Sequence, residues 1–218
     1  MKIASMPAKP NLLSRRERAK ADKRSRILKA SRTLFSKQGF ERTTVQEIAD
    51  SADIAVGTLF LYVRDKHELL LMLFTDGLKE AASQSQRQLQ GRKSLRPAIL
   101  AFFQPLLALY EEDVELSRLF WREFLLGKGA NRAEIDAIST TILASLRERL
   151  LTAIKQKEVS SRIEPGVAAL HLYAIFQATL SFHLVDCGPT ASSVETLSLL
   201  LESFWTGLKP DKKTTPHS

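Results

Sequence analysis

Residues 52–63 read ADIAVGTLFLYV (Ala52 to Val63), and whether this stretch is a strand or a helix decides the fold. Taken alone, TLFLYV is rich in aromatic and β-branched residues, a composition that favours a strand. As a strand, Leu59, Leu61 and Val63 would face one side with no neighbouring strand to pair with. As a helix from Ala55 to Val63, Val56, Leu59, Phe60 and Val63 lie at i, i+3, i+4 and i+7 and form one buried stripe. Gly57, Thr58, Leu61 and Tyr62 then point outward, with Phe60 at the seam. Packing overrides propensity, and the stretch is a helix.

The sequence on either side agrees. Ser14-Arg15-Arg16-Glu17, Thr44-Val45-Gln46-Glu47, Asp65-Lys66-His67-Glu68, Asn131-Arg132-Ala133-Glu134 and Ser192-Ser193-Val194-Glu195 each offer a cap oxygen with Glu three residues on. With almost no alternating apolar pattern, these signals predict an all-α protein. Ile27, Ala30, Ser31, Leu34 and Phe35 make the stripe of a first helix, which ends at Gly39 with Phe40 folding back. A second helix starts at Thr44 and buries Val45, Ile48, Ala49 and Ala52, and a tight turn leads into the stretch above. Two short helices around such a turn, the second showing small and aromatic groups to solvent, describe a helix-turn-helix.

Charge distribution fits a polyanion-binding end. Residues 1–40 hold twelve Lys/Arg against Glu17 and Asp22, a net of +10, in a chain whose total is +8. Arg15, Arg16, Arg18, Lys23 and Arg24 are therefore candidate DNA contacts, the alternative being a solubilising tail. Gly57 lets backbone approach a groove wall, and Thr58 offers a hydroxyl and a methyl. Lys66, in the first turn of the next helix, is placed to meet a phosphate.

From Ile27 to Leu71 the sequence ILKASRTLFSKQGFERTTVQEIADSADIAVGTLFLYVRDKHELLL resembles the N-terminal DNA-binding domain of the tetracycline-repressor (TetR) family. Leu34-Phe35…Gly39-Phe40, Thr44-Val45…Glu47-Ile48-Ala49, Gly57-Thr58-Leu59-Phe60 and Lys66…Leu69-Leu70 carry the match. The resemblance implies a homodimeric repressor with a C-terminal ligand-binding domain, and it places Thr44, Thr58, Phe60, Leu61, Tyr62 and Lys66 against double-stranded DNA. Ala55, at the start of the recognition helix, completes the candidate set. Three positions depart from the family pattern. Asp53 stands where the turn usually has Gly, Ala55 replaces a capping Ser or Thr, and Phe60 replaces the common Tyr.

Four segments are expected: a basic arm over 1–22, the helix-turn-helix domain over 23–66, a helical ligand-binding and dimerisation domain over 67–208, and a tail without apolar anchors over 209–218. In the third, Phe103, Leu107, Tyr110, Phe120 and Phe124, with His171 and Phe176 on a facing helix, are candidate walls of an apolar effector pocket. A filled core is the competing reading. Val167 to Val185 carries no charge over nineteen positions, which raises a membrane span. Interspersed His, Gln, Thr and Ser, and the absence of flanking Lys/Arg, favour a packed helix instead. Its small-residue stripe, Ala174, Ala178, Ser181 and Val185, together with Leu200 and Phe204 on the last helix, is the candidate dimer interface. The helix from Lys66 to about Leu89, pivoting near Asp65, is the expected lever between effector and DNA.

No HExxH, GxSxG or metal-ligand spacing is present, so no enzyme, cofactor or metal is expected. The single cysteine, Cys187, and the lack of a signal-like N-terminal segment suggest the cytoplasm. The sequence reading is a ligand-responsive dimeric repressor. Its alternative is an architectural DNA-binding protein with a packed C-terminal domain.

Overall fold

In the computed structural model, residues 14–90, 94–125, 132–188 and 192–207 are described. They form helices α1 (Arg15–Gln38), α2 (Val45–Ser51), α3 (Val56–Leu59), α4 (Lys66–Gln90), α5 (Leu95–Glu111), α6 (Val114–Leu125), α7 (Arg132–Lys155), α8 (Pro165–Leu184) and α9 (Ser193–Gly207). No strand occurs among the described residues. The chain divides into two compact units with the boundary between Leu69 and Leu70, inside α4.

The first unit is set by its caps. Ser14 and Thr44 each make a complete capping box, with the Glu17 and Glu47 side chains reaching back to the cap backbone. α1 stops at Gly39, where φ is +84°, and the Gly39 N–H donates to the Phe35 carbonyl at 2.9 Å. Phe40 folds back onto Phe35, ring centroids 5.1 Å apart, and is itself buried. Ile27, Phe35, Ile48, Ala49, Leu59, Val63 and Leu69 complete the core, as the stripes of the first two helices and the helical reading of residues 55–63 require. Residues 15–22, expected within the arm, are the first two turns of α1. The arm before Ser14, the cap at Asn131 and the tail 209–218 lie outside the described residues.

One of the expected boxes is half made. The Glu68 N–H donates to Asp65 Oδ1 at 2.8 Å, but the Glu68 carboxylate accepts from the Arg64 N–H instead of from Asp65. At α9 the Glu195 N–H is 3.4 Å from Ser192 Oγ.

The second unit is built on α5, which packs against α6, α7, α8 and α9. Ala98, Ile99, Phe102, Phe103, Leu106, Leu107 and Tyr110 are all buried along it, and the helix runs through Pro105. α8 starts with Pro165 in its first turn, where the missing N–H costs nothing, and Glu164 accepts from the Gly166 and Val167 N–H groups. Glu164 is thereby held below the ordinary carboxylate range. α8 is long and apolar enough to cross a membrane. It instead buries Ala168, Leu172, Phe176, Leu180 and Leu184, an unbroken four-residue spacing, in the core of this unit.

Candidate nucleic-acid interface

The stretch that decided the fold is helical but shorter than expected. Only Val56–Leu59 is regular α-helix. The chain then tightens: Leu61 N–H donates to Thr58 O at 3.2 Å and Tyr62 N–H to Leu59 O at 2.9 Å, bonds three residues apart. Leu59 and Val63 are buried as the stripe predicts. Phe60 departs from the expectation, because the tightened turn swings it outward and leaves it 50% exposed, next to Leu61 at 83%. Two adjacent large apolar side chains thus stand in water in the turn that follows α3.

The backbone before α3 explains two of the departures. Asp53 sits at φ +52°, the left-handed position that favours glycine. Arg26, from α1, holds this turn: its Nη1 donates to Ala52 O at 3.0 Å and to Asp53 O at 3.4 Å. Ala55 occupies the N-cap of α3 with no side-chain cap bond. Gly57 has ordinary backbone torsions, and a Cβ built on it would meet no atom within 4 Å. Nothing inside the protein requires a glycine there.

Two expected DNA contacts are engaged within the protein. Lys66 was expected to offer its ammonium to a phosphate. Its Nζ donates instead to Phe40 O at 2.8 Å and Glu41 O at 3.0 Å, and lies 4.4 Å from the centre of the Phe40 ring. The ammonium bolts the first turn of α4 to the α1–α2 loop, because that loop presents two carbonyls and an aromatic face together. Thr44 is exposed, yet its hydroxyl donates to Glu47 Oε2 at 2.9 Å and accepts from the Glu47 N–H. The Thr44 backbone and side chain, with Gln38, hold the Glu47 carboxyl below its ordinary value. Thr58 and Tyr62 are half-buried, and Tyr62 Oη comes within 3.5 Å of Lys20 O on α1. Arg15, Arg16, Arg18 and Lys23 are exposed along α1, whereas Arg24 is half-buried.

Residues 27–73 match the family described as bacterial regulatory proteins, tetR family. The HTH-type transcriptional repressor KstR of Rhodococcus jostii (strain RHA1) is 31% identical over 120 residues, which are 55% of this chain and 56% of that protein. The chain thus spans about half that repressor's length. Among solved structures, Thermus thermophilus FadR, a TetR-family repressor in complex with lauroyl-CoA, superposes with a TM-score of 0.66 at 20% identity. The match covers 89% of this chain and all of that one. Bacillus subtilis FadR in complex with stearoyl-CoA gives 0.63 at 20% identity, over 81% and 96% of the two chains. Over residues 27–73 the chain is thus similar to the TetR family, and its fold is that of solved TetR-family regulators.

The second unit brings together four of the seven expected effector residues. Tyr110, Phe120, Phe124 and Phe176 line one cleft. Phe103 and Leu107 do not line it; they are core, with Phe103 stacked on Phe176 at 4.9 Å. His171 is also elsewhere. It lies exposed on the α9 side of α8, 6.2 Å from the Phe204 ring. The wall that sequence reasoning missed is α7, which supplies Ile135, Ile138, Ser139 and Ile142 at i, i+3, i+4 and i+7. That spacing was present in the sequence and marks the buried face. Ser139 shares a 3.0 Å hydrogen bond with the Tyr173 hydroxyl, another lining group. Burial pushes both the Tyr110 and the Tyr173 hydroxyls above the ordinary phenol range.

The cleft encloses about 20 Å³, room for about one water molecule. It adjoins open space between α4 and α7. Ile138 also borders a groove of about 350 Å³, and that groove shares Gln86 and Thr141 with a wider one of about 1070 Å³. The wide groove is of mixed character, lined among others by Gln86, Leu89, Ala144, Ser145, Glu148, Arg149 and Thr152. Gln86 Nε2 to Ser145 Oγ at 3.1 Å and Lys79 to Glu134 at 3.0 Å span the two helices.

Of the candidate dimer residues, Ala174 and Val185 are exposed, and Ala178, Ser181, Leu200 and Phe204 are half-buried. Val167, Leu170 and Leu199 add large apolar side chains between 49% and 56% exposed. The outer faces of α8 and α9 therefore each carry exposed apolar side chains.

Proposed function

We propose that the chain is a dimeric transcriptional repressor that reads a near-palindromic operator through α3 and is released by an amphiphilic effector. The observation that carries the DNA reading is the outer face of residues 57–62. There Leu61 and Phe60 stand in water beside a glycine that the protein itself does not need. Leu61 and Thr58 offer methyl contacts, Tyr62 an apolar ring with a polar tip, and Gly57 room for close approach. A single short helix binds weakly, so two copies on one duplex are required, and the exposed apolar side chains of α8 and α9 support a two-fold four-helix interface.

The effector reading rests on the continuity from an aromatic cleft to an open groove that carries polar and charged side chains. A molecule with an apolar tail and a bulky polar head fits that sequence of spaces, the tail parting the aromatic side chains and the head remaining between α4 and α7. The Thermus and Bacillus FadR proteins hold acyl-CoA thioesters, molecules of this class. Through α4, whose residues belong to both units, the ligand is coupled to DNA. A coupling of about 1–3 kcal/mol gives a 5–150-fold loss of operator affinity, and the operator weakens ligand binding by the same factor.

The test begins by selecting a duplex from a random pool with the full chain. Thr58→Ala and Tyr62→Ala should each cost roughly 1–3 kcal/mol on the selected duplex and less on random DNA. Equal losses on both would make these residues backbone contacts. Titration with a long-chain acyl-CoA should release the selected duplex. If acyl-CoAs, free fatty acids and steroids all leave affinity unchanged, the closed cleft is a filled core and the architectural reading replaces this one.

A further inference from the structure

We infer that the N-terminal half of α1 is a preformed cationic rod that lies along the phosphates of one DNA strand beside the groove read by α3, touching them through Arg16, Lys20 and Lys23. The inference rests on the DNA-binding reading above and adds a second contact surface to it.

α1 is 24 residues long, but its first buried residue is Ile27. The twelve residues before it span about 18 Å at 1.5 Å per residue. Ser14 starts this segment with a complete capping box, so it is a folded helix and not a strand-like arm that threads a minor groove.

Its sides differ. Ile27, Ser31 and Phe35 mark the buried face at four-residue spacing. Extending that row toward the N-terminus gives Lys23, Lys20 and Arg16, at intervals of four, three and four residues. The face that is apolar and covered from Ile27 onward is thus cationic and exposed from Lys23 back to Arg16. Among the described residues these three side chains have no ion-pair partner. The opposite flank carries Arg15 and Arg18 but also Asp22, 3.4 Å from Arg26. Glu17, near the stripe's edge, is occupied by its bond to the Ser14 N–H at 2.8 Å.

Position and spacing identify the occupant. Tyr62, on the outer face of the recognition turn, reaches to within 3.5 Å of Lys20 O, so the middle of the stripe lies beside the groove-reading surface. Arg16 to Lys23 covers about 10 Å of helix. One DNA strand presents a phosphate about every 3.4 Å along the duplex axis, so about three phosphates match three cations. An acidic protein segment would satisfy the charge but not the position beside α3.

The experiment compares full-chain variants R16Q/K20Q/K23Q and R15Q/R18Q. Glutamine keeps helix propensity, and circular dichroism checks that helicity is retained. Binding is measured against salt on the selected duplex and on a duplex of random sequence. The stripe variant should flatten the slope of log K against log salt by about 2.7 per protomer bound, three phosphates at about 0.9 each, on both duplexes. R15Q/R18Q should change it by less than one phosphate's worth. Trimming the duplex at the outer edge of the half-site should weaken the unmodified chain and leave the stripe variant unaffected. Equal slope loss per charge removed in both variants, or none in either, would overturn the inference while the Thr58 and Tyr62 effects stand. Failure of the unmodified chain to bind any duplex would instead remove the DNA-binding reading itself.

Discussion

Replacing Lys66 with methionine separates two roles that a basic residue at the start of α4 can play. The side chain donates two charge-assisted bonds to carbonyls and covers the Phe40 ring. Each such bond is worth about 1.5–3 kcal/mol and an exposed cation–π contact about 0.5–1 kcal/mol. Not all of that is lost. Phe40 O still accepts from the Thr43 N–H at 3.3 Å, Glu41 is exposed so its carbonyl regains water, and methionine keeps the apolar stem. The net cost to the first unit is about 2 kcal/mol, roughly a 30-fold change in local opening at 1.4 kcal/mol per decade. Amide hydrogen exchange at Thr43 and Leu69 in the full chain should accelerate by that factor. Operator affinity should fall, on specific and random DNA alike, because α3 is less firmly held. The salt dependence should stay the same. A phosphate-bound Lys66 would give the opposite signature: unchanged exchange, and a log–log salt slope flatter by about 0.9 per protomer bound. Observing that pair of results would refute the assignment of Lys66 as a positioning residue.

Gly57→Ala should stabilise the first unit by about 0.5–1 kcal/mol, since the backbone is helical and a methyl meets nothing, yet weaken operator binding. Gains in both stability and affinity, read by calorimetry and by anisotropy, would show that no partner approaches the backbone there. Ala178→Glu places a charge on the half-buried outer side of α8 and should split the proposed dimer in sedimentation together with tight operator binding. A variant that remains dimeric moves the interface elsewhere. Tyr110→Phe addresses pH: burial raises the phenol of the folded chain, so above about pH 10 only the unfolded chain ionises and stability falls as pH rises. Below that pH the contribution is intact. Denaturation at pH 9 and pH 11 should therefore show a smaller alkaline loss in the phenylalanine variant, and an equal loss would place the responsible group elsewhere.

What was legible in the sequence was what local chemistry determines. Gly39 ends α1 because a positive φ is needed there, and Thr44 opens α2 because Glu47 completes its box. Leu59 and Val63 point inward because the spacing permits one apolar face only. Legibility failed where a side chain's partner is distant in sequence. The carbonyls that take up Lys66 belong to residues 40 and 41, and no pattern around residue 66 announces them. It failed again on α8, where apolar residues occur on all sides, so the direction of His171 is not written in any amphipathic bias. The α7 wall of the cleft was readable as a periodic stripe, but which helices it faces is a property of packing. The closed state of the cleft depends on aromatic rotamers such as the Phe74–Phe120 stack at 4.4 Å, which no spacing rule fixes.

The departures from the family pattern around α3 and the basic character of α1 have a common physical basis. A left-handed Asp53 and an uncapped α3 each weaken the turn, the missing cap by about 1 kcal/mol. The compensation comes from α1, where Arg26 bonds the carbonyls of residues 52 and 53 and stands 3.5 Å from the Asp53 carboxylate. Its guanidinium is held in turn by Asp22, one helical turn earlier. Such a clamp works only if α1 is rigid at residue 26, and rigidity there requires helix on both sides of it. A helix that began only at Ile27 would leave Arg26 on a fraying terminus, free to leave the turn. The extension back to the Ser14 cap therefore stabilises the turn that aims α3, whatever its charges do. Given that extension, basic residues on its inner face are carried at a fixed angle to the recognition turn. In the reading proposed here, the same helix sets the aim of the groove-reading residues and the position of the phosphate contacts, so the two cannot be altered independently.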